Sequence, residues 1–218
     1  MDTFIYFLII ISYIILFFIT SYFSKGQPFI HYDNVLLLVI LALLYDNGML
    51  AIGKYIGEGE LLKNLNEFRY WLHGFITPLL ILFAWNTLRK ADITFAKKPT
   101  SNLVINIFTL IIIFIELFTL LDHSGLEPKW THGILSYEMT KPFDIPIMIF
   151  AVMISLLITS IIVWWKQKWP WYFIGVIAMA LAPLLERFLE TGTAHNISEL
   201  ILMIFLVATK RFQDKLIE

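Results

Sequence analysis

The chain has 218 residues, of which 59% are hydrophobic and 15% are charged, and its formal net charge is −1. Soluble domains contain roughly 45–50% apolar and about 25% charged residues. A water-soluble fold of this length could not bury so much apolar side chain, so lipid is the expected solvent. The near-neutral charge and the lack of a basic run give no indication of a nucleic-acid partner. The sequence has no cysteine, which excludes disulfides, thiol catalysis and sulfur-ligated metals.

Seven apolar stretches are long enough to cross a membrane as helices. They cover residues 4–23, 35–53, 70–88, 102–121, 146–165, 171–189 and 193–209. The first is expected to be a retained helix, because no basic segment precedes it and no small-residue cleavage site follows it. The connections are short, with no low-complexity segment. The sequence therefore predicts an all-α integral membrane protein with a single polytopic domain over residues 1–218.

Lysine and arginine are distributed unequally between the two sets of connections. If the N-terminus is outside, the cytoplasmic segments hold ten of these residues and the external loops hold five, with Arg187 left out because it lies within a predicted span. Cytoplasmic loops of membrane proteins carry an excess of Lys and Arg. This bias predicts an external N-terminus and a cytoplasmic C-terminus. The frequent Ile, Phe and Lys suggest an AT-rich genome, so the expected location is a bacterial plasma membrane.

Two external segments are longer than the other connections. Residues 54–69 contain two glycines followed by an apolar series, which predicts a glycine hinge and a short interfacial helix. Residues 122–145 contain His123, Trp130 and His132, and are expected to form a loop that covers the polar residues below it.

Ionisable residues recur at one depth in five of the predicted helices. At about 1.5 Å per residue they lie roughly 16–24 Å from the cytoplasmic helix ends, in the outer half of a hydrocarbon core of about 30 Å. We call this set the polar layer: Asp46, His73, Glu116, Glu186, His195 and Glu199. A charged side chain near the membrane centre costs about 2.5–3.5 kcal/mol, so each is expected to face the bundle interior. The alternative to a functional role is a structural network that holds helices together.

The types and spacing of these residues predict the chemistry of the layer. His195 and Glu199 are four residues apart and share a helix face, and His73 could face them. With Glu116 they form a candidate site for zinc, manganese or iron, whose bound water would be a nucleophile near neutral pH. Without a metal, the same residues and Asp46 could act as acids and bases. No local ligand motif such as H-E-x-x-H is present.

Further polar residues near this depth are candidates for substrate binding. Two arginines could receive an anionic head group, and neighbouring acids and amides could add hydrogen bonds. The candidates are Arg69, Asn47, Glu186, Arg187 and Asn196. For Arg187, an interfacial ion pair with Glu190 is the structural alternative.

Three functions are compatible with these features. The first is an enzyme, such as a metal-dependent hydrolase, acting on a membrane lipid or another amphiphile. The second is a small proton- or cation-coupled transporter, favoured by a weak internal similarity that aligns His73 with His195 and by Pro78 and Pro183, which would kink two helices near the layer. The third is a structural or sensory membrane protein.

Overall fold

The structure is a computed structural model, and it describes residues 2–24, 32–122, 125–140, 146–189 and 192–217. Within this part, nine α-helices and one β-hairpin make up the fold. The helices are α1 Asp2–Phe23, α2 Val35–Ile56, α3 Glu60–Ile76, α4 Leu80–Lys90, α5 Pro99–Asp122, α6 Ile147–Gln167, α7 Trp171–Ala180, α8 Ala182–Leu189 and α9 Ala194–Lys215. The strands are β1 Leu126–Thr131 and β2 Ile134–Met139, and 3-10 turns cover Tyr32–Asn34, Thr77–Leu79 and Thr94–Lys97.

Five helical segments in the described residues are long and apolar enough to span a membrane: α1, α2, α3 with α4 as one 31-residue unit, α5 and α6. A sixth forms if α7 and α8, which meet at a bend of 50°, are one span. This confirms a mainly helical, membrane-embedded protein. All seven predicted spans are helical, but α9, at the place of the seventh, is not among these apolar segments. The number of spans and the direction of the chain stay predictions.

The faces of these helices have the polarity expected in lipid. In α1 the buried side chains recur every three or four residues, at Tyr6, Ile9, Tyr13 and Leu16. This spacing keeps them on one stripe of the helix, packed against α2 and α9. Large apolar side chains cover the outer faces instead, and Phe118 on α5 is 69% exposed. Apolar residues on the outside and a closely packed interior are what a bundle in a bilayer requires.

The predicted glycine hinge lies between α2 and α3. Gly57 and Gly59 have φ values of 83° and 156°, which glycine adopts without steric cost. The prediction of a separate interfacial helix is wrong in one respect. A helix does begin at Glu60, but it continues directly into the predicted third span and is interrupted only at the 3-10 turn Thr77–Leu79. Pro78 lies in that turn, where it cannot donate a backbone hydrogen bond.

The predicted covering loop contains a β-hairpin that the sequence analysis did not find. β1 and β2 pair antiparallel from Leu126↔Met139 to Thr131↔Ile134. The turn residues His132 and Gly133 both have positive φ, 50° and 80°, as a two-residue type I′ hairpin turn requires. β2 packs on α2 and α3. His123 and the end of the predicted loop, residues 141–145, lie outside the described residues.

A close backbone contact holds this hairpin on α2. At Gly53, an added Cβ would lie 2.1 Å from the carbonyl oxygen of Leu135, so only glycine allows the strand to approach so closely. Leu135 itself is fully buried. The turn at His132, three residues before Leu135, lies beside Gly192 and Asp2. The hairpin therefore extends from α2 to the start of α1, and we use it to name this side of the bundle the hairpin side.

Candidate functional site

A cavity of about 70 Å³ lies between α2, α3, α4, α6, α7 and α9. Four lining residues are polar: His73, Thr77, His195 and Glu199. The other ten are apolar: Val39, Leu43, Leu80, Ile149, Val152, Met153, Leu156, Met179, Leu202 and Met203. Ligand sites in proteins are commonly of this kind, with a mainly apolar lining and a few convergent polar groups.

The structure brings three of the predicted catalytic residues to this cavity. His195 and Glu199 are one turn apart on α9, and His73 reaches the same space from the last turn of α3. All three are half-buried. The Nδ1 atom of His73 lies 3.2 Å from the hydroxyl oxygen of Thr77. Thr77 therefore helps to fix the orientation of the imidazole ring. Thr77 was not among the predicted site residues, although its spacing of four from His73 was a usable signal.

Asp46 lies next to this cavity, in an ion pair. The Nε of Arg69 donates to a carboxylate oxygen of Asp46 at 2.8 Å, and its Nη1 donates to the side-chain oxygen of Asn66 at 2.7 Å. A smaller space of about 10 Å³ is lined by Asp46, Arg69 and His73 and shares four lining residues with the main cavity. Arg69, predicted to bind a head group, is thus already engaged with a carboxylate and an amide.

Glu116 does not line the cavity. Its side chain is 8% exposed and packs against α3 at Gly74, where an added Cβ would lie 3.2 Å from its Cγ atom. Two neighbouring residues of α3 thus face different parts of the bundle: His73 lines the cavity, and Gly74 contacts α5. The contact with Gly74 puts Glu116 level with His73 but on another side of α3. Its predicted role as a catalytic residue or metal ligand stays a prediction.

The remaining predicted binding residues contact neighbouring protein groups. Asn47 is fully buried and donates to the carbonyl of Leu43 in its own helix at 2.8 Å. The amide oxygen of Asn196 accepts a hydrogen bond from the hydroxyl of Tyr6 at 3.1 Å. Glu186 accepts from the backbone N–H of His195 at 3.2 Å, in the first turn of α9, where a carboxylate is favoured by the helix dipole.

Arg187, the fifth of these residues, is exposed on α8. Its predicted partner Glu190 lies outside the described residues. Neither the head-group role nor the ion pair is tested by this position, so both stay predictions.

Two tyrosines on α1 belong to the surroundings of the site and were not predicted. Besides Asn196, the hydroxyl of Tyr6 lies 3.1 Å from the carbonyl oxygen of Gly192, and so connects α1 to the turn before α9. Tyr13 is fully buried, and its hydroxyl has no hydrogen-bond partner among the described residues. The first predicted span contributed no residue to the polar layer, and its tyrosines were not among the predicted site residues.

A second polar cluster lies at the end of the bundle opposite the hairpin. Asp214 accepts hydrogen bonds from both Lys90 and Lys210. The side chain of Lys210 is completely buried, and those of Lys90 and Asp214 are each 12% exposed. Gln213 donates to the carbonyl of Thr87 at 3.0 Å. We call Lys90, Lys210, Gln213 and Asp214 the inner cluster; the sequence analysis had treated its lysines only as loop charges.

The predicted ligands of the metal site lie in two places. In the described part of the chain, no group of three or more His, Cys, Asp or Glu residues is arranged to hold a metal ion. Three of the four predicted ligands share the cavity, whereas Glu116 lies at the interface of α3 and α5. The divalent-metal hypothesis stays a prediction.

Comparison with models of known protein families and with curated proteins finds no match to this chain. The cavity and its side chains are therefore the basis for the function proposed below.

Proposed function

We propose that the protein binds an amphiphile in the cavity and acts on its polar part through His73, His195 and Glu199. The observation that supports this most directly is the composition of the lining. Ten apolar residues accompany three ionisable ones and a threonine. An apolar lining favours a hydrocarbon chain, and two imidazoles with a carboxylate can bind and exchange protons with a head group.

The proposed chemistry is acid–base catalysis at the head group. Imidazole has an ordinary pKa near 6.5 and can accept or donate a proton near neutral pH. Thr77 holds one nitrogen of His73, which leaves the other available for the ligand. Glu199 lies one turn from His195. One of the two side chains could therefore accept a proton from the ligand while the other donates one to it. Hydrolysis or a related transfer reaction of a lipid in a bacterial plasma membrane is the activity we favour.

The test uses purified protein in nanodiscs made from the lipid extract of the expression host. We expect mass spectrometry to detect a lipid that the wild type consumes or retains and that His73→Asn does not. The matched control is His132→Asn, because His132 lies in the hairpin turn and asparagine tolerates its positive φ. If the wild type neither changes nor retains any lipid, the proposal is wrong.

A metal-dependent version of this enzyme makes a separate prediction. Elemental analysis of protein purified without chelators would find near-stoichiometric zinc, manganese or iron, and His73→Ala/His195→Ala would lose it. If neither protein contains metal, the metal-dependent mechanism is wrong and the proposed mechanism is acid–base catalysis by the side chains alone.

Transport is a second candidate, favoured by two interrupted helices beside the cavity. The 3-10 turn Thr77–Leu79 separates α3 from α4, and α7 and α8 meet at a bend of 50°. Transporter sites are commonly formed by discontinuous helices. In proteoliposomes that contain a pH-sensitive dye, a transporter would give proton flux that His73→Asn abolishes. Lipid turnover without proton flux would rule out transport and leave the enzyme as the only one of the two proposals.

A further inference from the structure

The end of the cavity on the hairpin side is closed by several contacts. The ion pair of Arg69 with Asp46 joins α3 to α2, one turn above His73. The hydrogen bond between Tyr6 and Asn196 joins α1 to α9 beside His195. β2 packs across α2 and α3, with the hydroxyl of Tyr70 donating to a carbonyl of that strand. A ligand arriving from water on this side would have to separate these contacts.

The side of the cavity between α6 and α7 is more open. Ile149 lines the cavity and is nevertheless 45% exposed, so it lies at the mouth. Met153 and Met179 also line the cavity, and both are partly exposed. In a bilayer, a mouth bordered by exposed apolar side chains of spanning helices faces lipid.

The bend between α7 and α8 lies next to this opening, two residues after Met179. α7 packs along α6, whereas α8 turns away by 50° and packs on α9 and α7. α8 is amphipathic, and its exposed apolar side chains include Leu184 and Phe188, 51% and 74% exposed. Among the described residues, α8 does not pack along the half of α6 that is nearer the hairpin.

The cavity changes in polarity along its length. Ile149 is in the first turn of α6, and Leu156 is seven residues further, so the lining extends about 10 Å along this helix at about 1.5 Å per residue. On α9, His195 and Glu199 precede Leu202 and Met203 in the same direction. The polar groups are therefore near the hairpin-side end, and the deep end is apolar.

We infer that the amphiphile is a membrane lipid that enters sideways from the leaflet on the hairpin side, through the gap between α6 and the bent pair α7–α8. Its head group lies at His73, His195 and Glu199, and one of its chains extends inward toward Leu156 and Leu202. This inference rests on the proposed function and adds the ligand class and the access route. The bound lipid then keeps the orientation that it has in that leaflet, with its head group nearer the hairpin side and its chain toward the membrane interior.

The lack of cysteine in the chain allows a direct test. Ile149→Cys places one thiol at the mouth, and the matched control Ile154→Cys places one on the lipid-facing side of α6, where Ile154 is 53% exposed but does not line the cavity. Each folded protein is placed in nanodiscs with a phospholipid that carries a diazirine in one chain. Photolabelling of Leu202 and Met203, 4% and 1% exposed, is measured before and after a bulky thiol reagent is attached.

We expect the attached reagent to lower labelling of these two residues by about tenfold or more in Ile149→Cys, equivalent to about 1.4 kcal/mol of binding free energy, and to leave it unchanged in Ile154→Cys. Because each comparison is made within one folded protein, misfolding of a variant cannot imitate the result. Unchanged labelling in modified Ile149→Cys would overturn the access route while the proposed function stands. If Leu202 and Met203 are not labelled in the wild type, both are overturned.

Discussion

Glu116 and Glu199 are glutamates at similar predicted depth with different surroundings. Glu199 lines the cavity, and Glu116 packs against Gly74 at the interface of α3 and α5. Counting residues along a helix gives the depth of a side chain, because the rise per residue is constant. It does not give the rotation of each helix in the bundle, which depends on packing against neighbours. The relative level of Glu116 and His73 was therefore predictable, and which of the two lines the cavity was not.

This difference between the two glutamates is testable. We expect Glu199→Gln to lower turnover of the lipid identified in nanodiscs by about 100-fold or more, the usual contribution of a general acid or base. Glu116→Gln should remain close to the wild type, because the amide fits the same position outside the cavity. Turnover is measured by mass spectrometry on equal amounts of monodisperse protein. Equal losses in the two variants would contradict the assignment of the site to the cavity.

The ion pair of Asp46 with Arg69 leads to a prediction about stability. Arg69 is 12% exposed, so Asp46→Asn leaves a nearly buried guanidinium without its carboxylate. We expect the free energy of unfolding to fall by about 3–5 kcal/mol, as when one partner of a buried pair is removed. Unfolding is followed by circular dichroism as SDS is added to mixed micelles. The double variant Asp46→Asn/Arg69→Gln should lose less than the single one; a double variant that loses more would contradict this account.

At the scale of elements, the long helices were predictable because each is a continuous apolar run bounded by polar residues. The hairpin was not, since Pro128 within β1 argues against a strand and the alternation of polar and apolar residues there is weak. The break after Ile76 was anticipated from Pro78, and the continuity of α3 with the preceding interfacial segment was not. Short elements depend on contacts with other parts of the chain, which a local pattern does not contain.

The contact of the hairpin with α2 gives a prediction for two glycines of that helix. Gly53→Ala should displace β2, because its Cβ would lie 2.1 Å from the carbonyl oxygen of Leu135. Gly48→Ala is the control, since no atom lies within 4 Å of its added Cβ, and alanine favours a helix by up to about 1 kcal/mol. Hydrogen exchange of the hairpin, read by mass spectrometry, should become faster in the first variant only. Equal exchange in both would show that the hairpin is held elsewhere.

Considered as a whole, the molecule has ionisable groups at two levels: the cavity near the hairpin and the inner cluster at the opposite end. The sequence predicted the first level from the cost of charges in lipid. It did not predict the second, because Lys90 and Lys210 are near helix ends, where exposed lysines are ordinary. Only the packing of α4 against α9 shows that both lysines are directed to Asp214.

The inner cluster predicts how the stability of the whole bundle depends on pH. Asp214 lies beyond the end of the predicted seventh span. Burial raises its pKa, but hydrogen bonds from Lys210 and Lys90 outweigh that effect, and the pKa of Asp214 is lowered. A carboxyl with a lowered pKa in the folded state stabilises the protein above its unfolded pKa, about 3.9, and this contribution is lost as pH falls through the lower folded value.

We therefore expect the unfolding temperature in detergent to fall as the pH drops below about 4, because the Asp214 carboxyl is then protonated in the unfolded chain while it is still ionised in the folded protein. Asp214→Asn should unfold at a lower temperature at pH 7 and lose part of this pH dependence. The matched control is Asp92→Asn, because Asp92 pairs with Lys97 on an exposed turn, where ion pairs contribute little. A pH profile of Asp214→Asn that is parallel to the wild type would rule out this role of the cluster.

The position of His195 and Glu199 on α9 has a consequence for the biogenesis of the protein. α9 follows all the other described helices in the chain, so it leaves the ribosome after them. It is also absent from the segments that are apolar enough to cross a membrane by themselves, and it packs on α1, α2 and α7. Its place in the bilayer thus depends on helices that are inserted earlier. The cavity therefore lacks His195 and Glu199 until α9 has packed against the described helices that precede it.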